Sequence, residues 1–192
     1  MLTAEITAAG KNAVILSIDD FFRERTSPKL VNGASVDFDS AAAIDLELFA
    51  ECTAAMLAGK NTILPQYDFI TGTRSFPRDY VSTPDDIVIF EGIQAFYPEI
   101  TSLLSAFPYK SIFINVSGDI TVNGTVFSGN EIRLARRLVR DFRFRSASPE
   151  FTMEIWENVR RNEEANIFPY MKTPGRNRSL KPGLISMIQS RF

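Results

Sequence analysis

Three apolar runs without alternation punctuate the chain: residues 13–18 (AVILSI), 87–90 (IVIF) and 111–116 (SIFINV). A strand with one wet face alternates apolar and polar positions, whereas an unbroken run marks a strand covered on both faces, as in a parallel sheet. Helical patterns lie between and after them. Residues 40–58 open on Ser40, a suitable cap, carry apolar positions at Ile44, Leu48, Phe49 and Leu57, and stop at Gly59. Residues 130–144 (NEIRLARRLVRDFRF) have helical spacing, and a further helix is expected from Ser148-Pro149 to about Ala165, with proline in its first turn. Strands alternating with helices predict an α/β fold. The opening MLTAEITAAGKN reads as the last turns of a helix closed by Gly10, without the strand that ordinarily begins such a domain. Either the fold starts unconventionally or the chain has lost its front.

Composition narrows the chemistry. The 192 residues suit one globular domain, with no internal repeat or low-complexity segment. No apolar run approaches the roughly 20 residues of a membrane span, and the opening residues are not a signal peptide. The one cysteine, Cys52, permits no internal disulfide, is expected to be a small buried core thiol and fits a reduced, cytoplasmic setting. Histidine is absent, which removes Ser-His-Asp and Cys-His nucleophile systems, the usual zinc sites and the commonest general base. Any acid–base chemistry then falls first to a carboxylate. The net charge of −2 gives no global attraction for nucleic acid. Residues 171–192 hold five basic residues and no acid, so the preceding 170 carry −7. This basic tail could bind anions, but a solvated, loosely ordered end is the expectation.

Ligands of open α/β sheets bind beyond the carboxyl ends of the strands. Asp19 and Asp20 stand at such an end, and Glu91 at the end of the second run. Two carboxylates from neighbouring strands could share a Mg²⁺ shell, or one could hold the metal while the other takes a proton from a hydroxyl. The plainer alternative is that either merely caps the helix that follows. In the 130–144 segment, Arg133, Arg137 and Arg140 fall on one helical face, with Arg136, Arg143 and Arg145 nearby. Guanidinium forks suit phosphate oxygens; the plainer alternative is a solvated face paired with Glu131 and Asp141.

VILSIDDFF, VDFDSAAAIDLELF, LPQYDFITGTR, DIVIFEGIQAFY, RLARRLVRDFRFR and NIFPY, in that order and spacing, resemble the uridine kinase and phosphoribulokinase family of P-loop kinases, over about residues 1–170. The nearest likeness is to the longer bacterial uridine-kinase-like proteins. The resemblance implies a P-loop NTPase-like parallel sheet with helices on both faces, ATP and Mg²⁺ as cofactors, and a nucleoside as acceptor. It makes Asp19 the base facing the acceptor hydroxyl and, with Glu91, a metal-site carboxylate. Asp39 would hydrogen-bond the ribose hydroxyls, with Phe38 beside the base, and Tyr67 and Phe69 would wall the base pocket. Arg137 and Arg140 would reach sugar and phosphates, and Arg145 would be a lid arginine over the transferring phosphate.

The sequence also departs from that pattern. No G-x-x-x-x-G-K-[ST] phosphate loop occurs in it, and Met1 aligns within the helix that should follow such a loop. The chain is therefore expected to be N-terminally truncated and possessed of little activity as it stands. Gly72 replaces a histidine, Ile155 a glutamine and Phe22 a frequent tyrosine of the better-known uridine–cytidine kinases, so pyrimidine preference is a family label. Residues 120–130 are expected to form a surface loop. The sequence-based expectation is a cytoplasmic ATP-dependent kinase of a small hydroxyl acceptor, with residues 1–170 as its domain and 171–192 as a basic tail. Its partners would be small molecules rather than nucleic acid or membrane, and a homo-oligomer is compatible with it. Two alternatives stand beside it: a kinase of another acceptor, such as a sugar phosphate or pantothenate, and a non-catalytic nucleotide-binding or interaction module.

Overall fold

The computed structural model describes residues 2–26, 40–83, 85–114, 119–166, 169 and 184–189. Helix α1 (Leu2–Ala8) leads into strand β1 (Ala13–Ser17). The strand does not continue into a long helix. Ile18–Phe21 forms a single 3₁₀ turn, in which residues three apart eclipse each other. Ile18 and Phe21 both go into the core at 0% exposure, which leaves Asp19 and Asp20 on the other side of the turn, half-buried. An apolar strand thus ends on two carboxylates because the turn splits its residues between core and cleft.

The helix expected from Ser40 starts later. Ala41–Ala43 makes a 3₁₀ turn, and helix α2 (Leu46–Leu57) is capped by Asp45, whose carboxylate accepts from the Leu48 amide at 3.4 Å. Tertiary contacts override the Ser40 cap. The Asp45 amide donates to the Phe21 carbonyl at 2.8 Å, and Ile44 bridges Phe22, so residues 44–45 are held extended against the 3₁₀ turn. The C-terminus of α2 is as expected. Gly59, at φ +68°, lets its own amide bond the Met56 carbonyl at 3.1 Å and the Lys60 amide bond the Ala55 carbonyl at 2.9 Å. That pair of bonds satisfies carbonyls the helix would leave open.

Strands β2 (Thr62–Asp68) and β3 (Thr73–Tyr80) form an antiparallel hairpin for which the sequence raised no expectation. It contains Pro65 and Pro77, residues that break ladders, and its register shifts between Leu64 and Gln66. Strand β4 (Ile87–Glu91) follows, then a 3₁₀ turn at Ile93–Phe96, helix α3 (Pro98–Leu104) and strand β5 (Tyr109–Ile114). Positions 115 and 116 of the third apolar run lie outside the described residues. The segment expected as a loop is partly a hairpin, β6 (Ile120–Val122) and β7 (Thr125–Phe127), turning on Asn123-Gly124. Asn-Gly is the commonest short hairpin signal, and here it acts through an exposed ribbon. Helix α4 (Gly129–Phe144) begins with a reciprocal capping box between Ser128 and Glu131, and helix α5 (Pro149–Asn166) follows.

Residues Leu184–Gln189 form strand β8, and the main sheet, parallel throughout, has the order β1-β4-β8-β5. The expectation of a loosely ordered tail therefore does not hold for these six residues. They pair on both sides, Leu184 standing opposite both Val88 and Tyr109. An apolar segment, LISMIQ, that satisfies the facing backbone groups of two strands is a better solution than leaving those groups open. Consecutive β4 residues Val88, Ile89 and Phe90 are at most 1% exposed. Neighbouring residues of a strand face opposite sides, so both faces of the sheet are covered there, as the unbroken apolar run predicts. Phe49 of α2 packs edge-on to Phe21 at 5.2 Å and tilted on Phe90 at 5.1 Å, joining helix, turn and sheet in one core. Cys52 is buried in that core, as expected, and burial raises its thiol pKa.

Candidate active site

The carboxyl ends of β1 and β4 lie side by side, with Ser17 opposite Glu91. Asp19 follows two residues after Ser17. Its Oδ1 accepts from the Gln94 side-chain amide at 3.2 Å and its Oδ2 from Arg145 Nη2 at 3.3 Å. Glu91, 6% exposed, completes the strand-end pair. Asp20 accepts from the Tyr67 amide at 3.3 Å and pairs with Arg78 at 3.5 Å. It ties the β2–β3 hairpin to the turn that carries Asp19.

That hairpin supplies the aromatic side of the site. Tyr67 and Phe69 lie 5.1 Å apart, and Phe22 closes a three-ring cluster at 5.6 Å and 5.9 Å from them. Burial raises the Tyr67 phenol pKa. Arg25 holds the hairpin end by donating to the Phe69 carbonyl at 2.6 Å. The last turn of α4 supplies the cations. Asp141, 3% exposed, faces Arg137 Nε at 3.2 Å, Arg140 Nη2 at 2.9 Å and Arg145 Nη1 at 3.8 Å. Asp141 and, through Arg145, Asp19 set two carboxylates against these three guanidinium groups. Arg145 also lies 4.1 Å over the Phe69 ring, within cation–π range. Desolvation first, then the nearby Arg140 charge, lowers its pKa.

The structure therefore brings Asp19, Tyr67, Phe69, Arg145, Arg140 and Arg137 into one connected network, with Glu91 at the neighbouring strand end. Phe38 and Asp39 lie outside the described residues. Arg133, on the same expected face as Arg137 and Arg140, turns instead to the buried Glu163 of α5 and serves helix packing. Glu131 is used in the α4 capping box rather than by an arginine. Sequence reasoning passed over Gln94, although a lone polar side chain inside IQAF, the first residues after the β4 end, was the available signal. It also passed over Asp45, which binds both Arg23 at 3.3 Å and Arg74 at 3.1 Å beneath the hairpin.

Among the described residues no three metal-ligating side chains cluster. Mg²⁺ ordinarily takes one or two protein carboxylates and completes its shell with water and phosphate oxygens, so Asp19 and Glu91 suit it as a donor set. No helix among the described residues is long and apolar enough to cross a membrane.

Comparison with known proteins adds relatives to this geometry. The chain is 35% identical to uridine-cytidine kinase 2-B of Danio rerio over 136 residues, covering 68% of the chain and 45% of that protein. It is 27% identical to a uridine kinase of Deinococcus deserti, covering 77% of the chain and 64% of that protein. It is 29% identical to uridine kinase-like protein 4 of Arabidopsis thaliana, covering 68% of the chain and 24% of that protein. The chain thus spans from about a quarter to under two thirds of the length of these relatives. The model of the phosphoribulokinase / uridine kinase family matches residues 3–175, a span that holds every strand-end carboxylate, ring and arginine of the site, and the chain belongs to that family.

Proposed function

We propose that this chain carries the acceptor side of a nucleoside kinase site, built for transfer of the γ-phosphoryl group of ATP to a nucleoside hydroxyl in the cytoplasm. The observation that carries this reading is the convergence on Asp19. A carboxylate at a strand end, a guanidinium 3.3 Å from it and an aromatic ring under that guanidinium come from three separate elements. Phosphoryl transfer asks for little covalent chemistry from the protein and much positioning and charge neutralisation. Asp19 would accept the hydroxyl proton, Tyr67 and Phe69 would stack the base, and Phe38 and Asp39 would hold base and ribose. Arg137, Arg140 and Arg145 would receive the phosphates. Mg²⁺ held by Asp19 and Glu91 would neutralise charge on the phosphate oxygens.

The 192 residues contain no Gly-Lys-Ser/Thr phosphate loop, so binding of the acceptor, not turnover, is the decisive measurement. Titration calorimetry of the chain with uridine, cytidine and adenosine is expected to give saturable binding to at least one. Asp39→Ala and Tyr67→Ala should each weaken it by about 1–3 kcal/mol, the cost of stranding buried hydrogen-bonding partners or removing a stacked ring. Binding of a sugar phosphate or pantothenate in place of every nucleoside would redirect the reading to another acceptor. No binding of any of these would support a non-catalytic module.

A further inference from the structure

Gln94 is buried to 5% exposure in the turn after β4. Its Nε2 donates to Asp19 Oδ1 at 3.2 Å, an orientation dictated by the acceptor-only carboxylate. Its Oε1 is fully buried and has no partner among the described residues. A buried carbonyl left unpaired costs stability, and a leucine or methionine would fill the same volume without that cost. The room for the amide is also specially made. Gly92, at φ +138°, has no side chain, and a Cβ there would sit 3.0 Å from Gln94 Oε1 and 3.4 Å from Ile18 Cβ. Two neighbouring positions thus sacrifice ordinary packing, and what they obtain together is one N–H on Asp19.

We propose that Gln94 is the positioning residue for Asp19. This rests on the reading of Asp19 as the group that meets the acceptor hydroxyl. Arg145 donates to Oδ2 and Gln94 to Oδ1. Oδ2, which accepts from Arg145, keeps a lone pair for an acceptor hydroxyl, whereas Gln94 is buried behind the carboxylate and stays on Oδ1. It then holds the plane of the carboxylate so that Oδ2 faces the incoming hydroxyl. Rigid support of this kind keeps a reacting group within a few tenths of an ångström of its productive place.

Two measurements on the full chain test the proposal. The first is the ¹⁵N–¹H spectrum of side-chain amides, with the Gln94 signal identified by its loss in Gln94→Met. That signal should shift in Asp19→Ala, and an unmoved signal would overturn the contact. The second is calorimetry with a nucleoside and its 5′-deoxy analogue. Wild type should prefer the 5′-hydroxyl by about tenfold, the worth of a hydrogen bond to a charged group. Gln94→Met should lose most of that preference and bind the deoxy analogue as wild type does. An equal loss for both ligands would mean that Gln94 only supports packing, and would overturn the proposal. Failure of wild type to bind either ligand would refute the nucleoside reading, while the amide signal would still decide the Gln94–Asp19 contact.

Discussion

Asp86 lies at the opposite end of the sheet from Asp19, just before β4, and is 5% exposed. Its carboxylate accepts from Asn12 Nδ2 at 2.9 Å, Thr83 Oγ1 at 2.6 Å, the Thr83 amide at 2.9 Å and, in a short contact, the Tyr80 hydroxyl. It therefore ties the end of β3 to the residue that leads into β1. Burial alone would raise the pKa of this carboxyl, but the hydrogen bonds from Thr83, Tyr80 and Asn12 outweigh it and hold the group at about 2, against an ordinary 3.8. At about 1.4 kcal/mol per tenfold, that difference makes the charged form worth on the order of 2–3 kcal/mol to the fold. Because the folded value is depressed, the contribution is present in full above about pH 4 and is lost as pH falls towards 2. Asp86→Asn keeps the shape but removes the charge and turns an N–H₂ towards donors. It should lower the unfolding free energy at pH 7 by about 2–3 kcal/mol, equivalent to about 5–10 °C in Tm for a chain of this size. Urea unfolding of both proteins at pH 7, 5, 4, 3 and 2.5 is the assay. The gap between them should be constant down to about pH 4 and then narrow. A gap under about 0.5 kcal/mol at pH 7, or one that does not narrow in acid, would refute the reasoning.

Three further outcomes follow from the packing and charge of the site. Pyrophosphate should bind the Arg137–Arg140–Arg145 cluster and weaken as salt rises, and Arg140→Ala should cost at least about 1 kcal/mol of that binding by calorimetry; unchanged affinity would remove the arginines from the phosphate role. Phe49→Ala, which empties a fully buried ring site between Phe21 and Phe90, should destabilise the fold by about 3–5 kcal/mol in urea unfolding. Asp20→Ala should cost about 1–3 kcal/mol by stranding the Tyr67 amide, whereas Asp20→Asn, which keeps an oxygen for that amide, should cost clearly less in the same assay.

Much of the architecture was legible along the chain because its signals are local. Unbroken apolar runs identify β1, β4 and β5 as strands, though only β4 is covered on both faces, Ile15 of β1 and Ile112 of β5 being exposed. Gly59 marks the end of α2 through a backbone conformation that glycine adopts cheaply. The β2–β3 hairpin was not legible, since its two prolines and the largely exposed β3 erase the alternation that marks a strand. The start of α2 was misplaced because Ser40 is locally a good cap, and only the bond from the Asp45 amide to the Phe21 carbonyl selects Asp45. For the site, residue type named the candidates, but Arg133 and Arg137 share a helical spacing and part company only when α5 presents Glu163 to one of them.

By itself, then, the sequence determined the class of fold, the strand ends on which carboxylates stand and the absence of histidine chemistry. These depend on periodicity, on composition and on the identity of residues next to one another. Tertiary structure alone decided which partner each charge receives. Asp19 is 75 residues from Gln94 and 126 from Arg145, and Arg133 is 30 from Glu163. No local pattern encodes such pairings, because they arise only when packing removes water from several elements at once and each buried charge must find its partner within the protein.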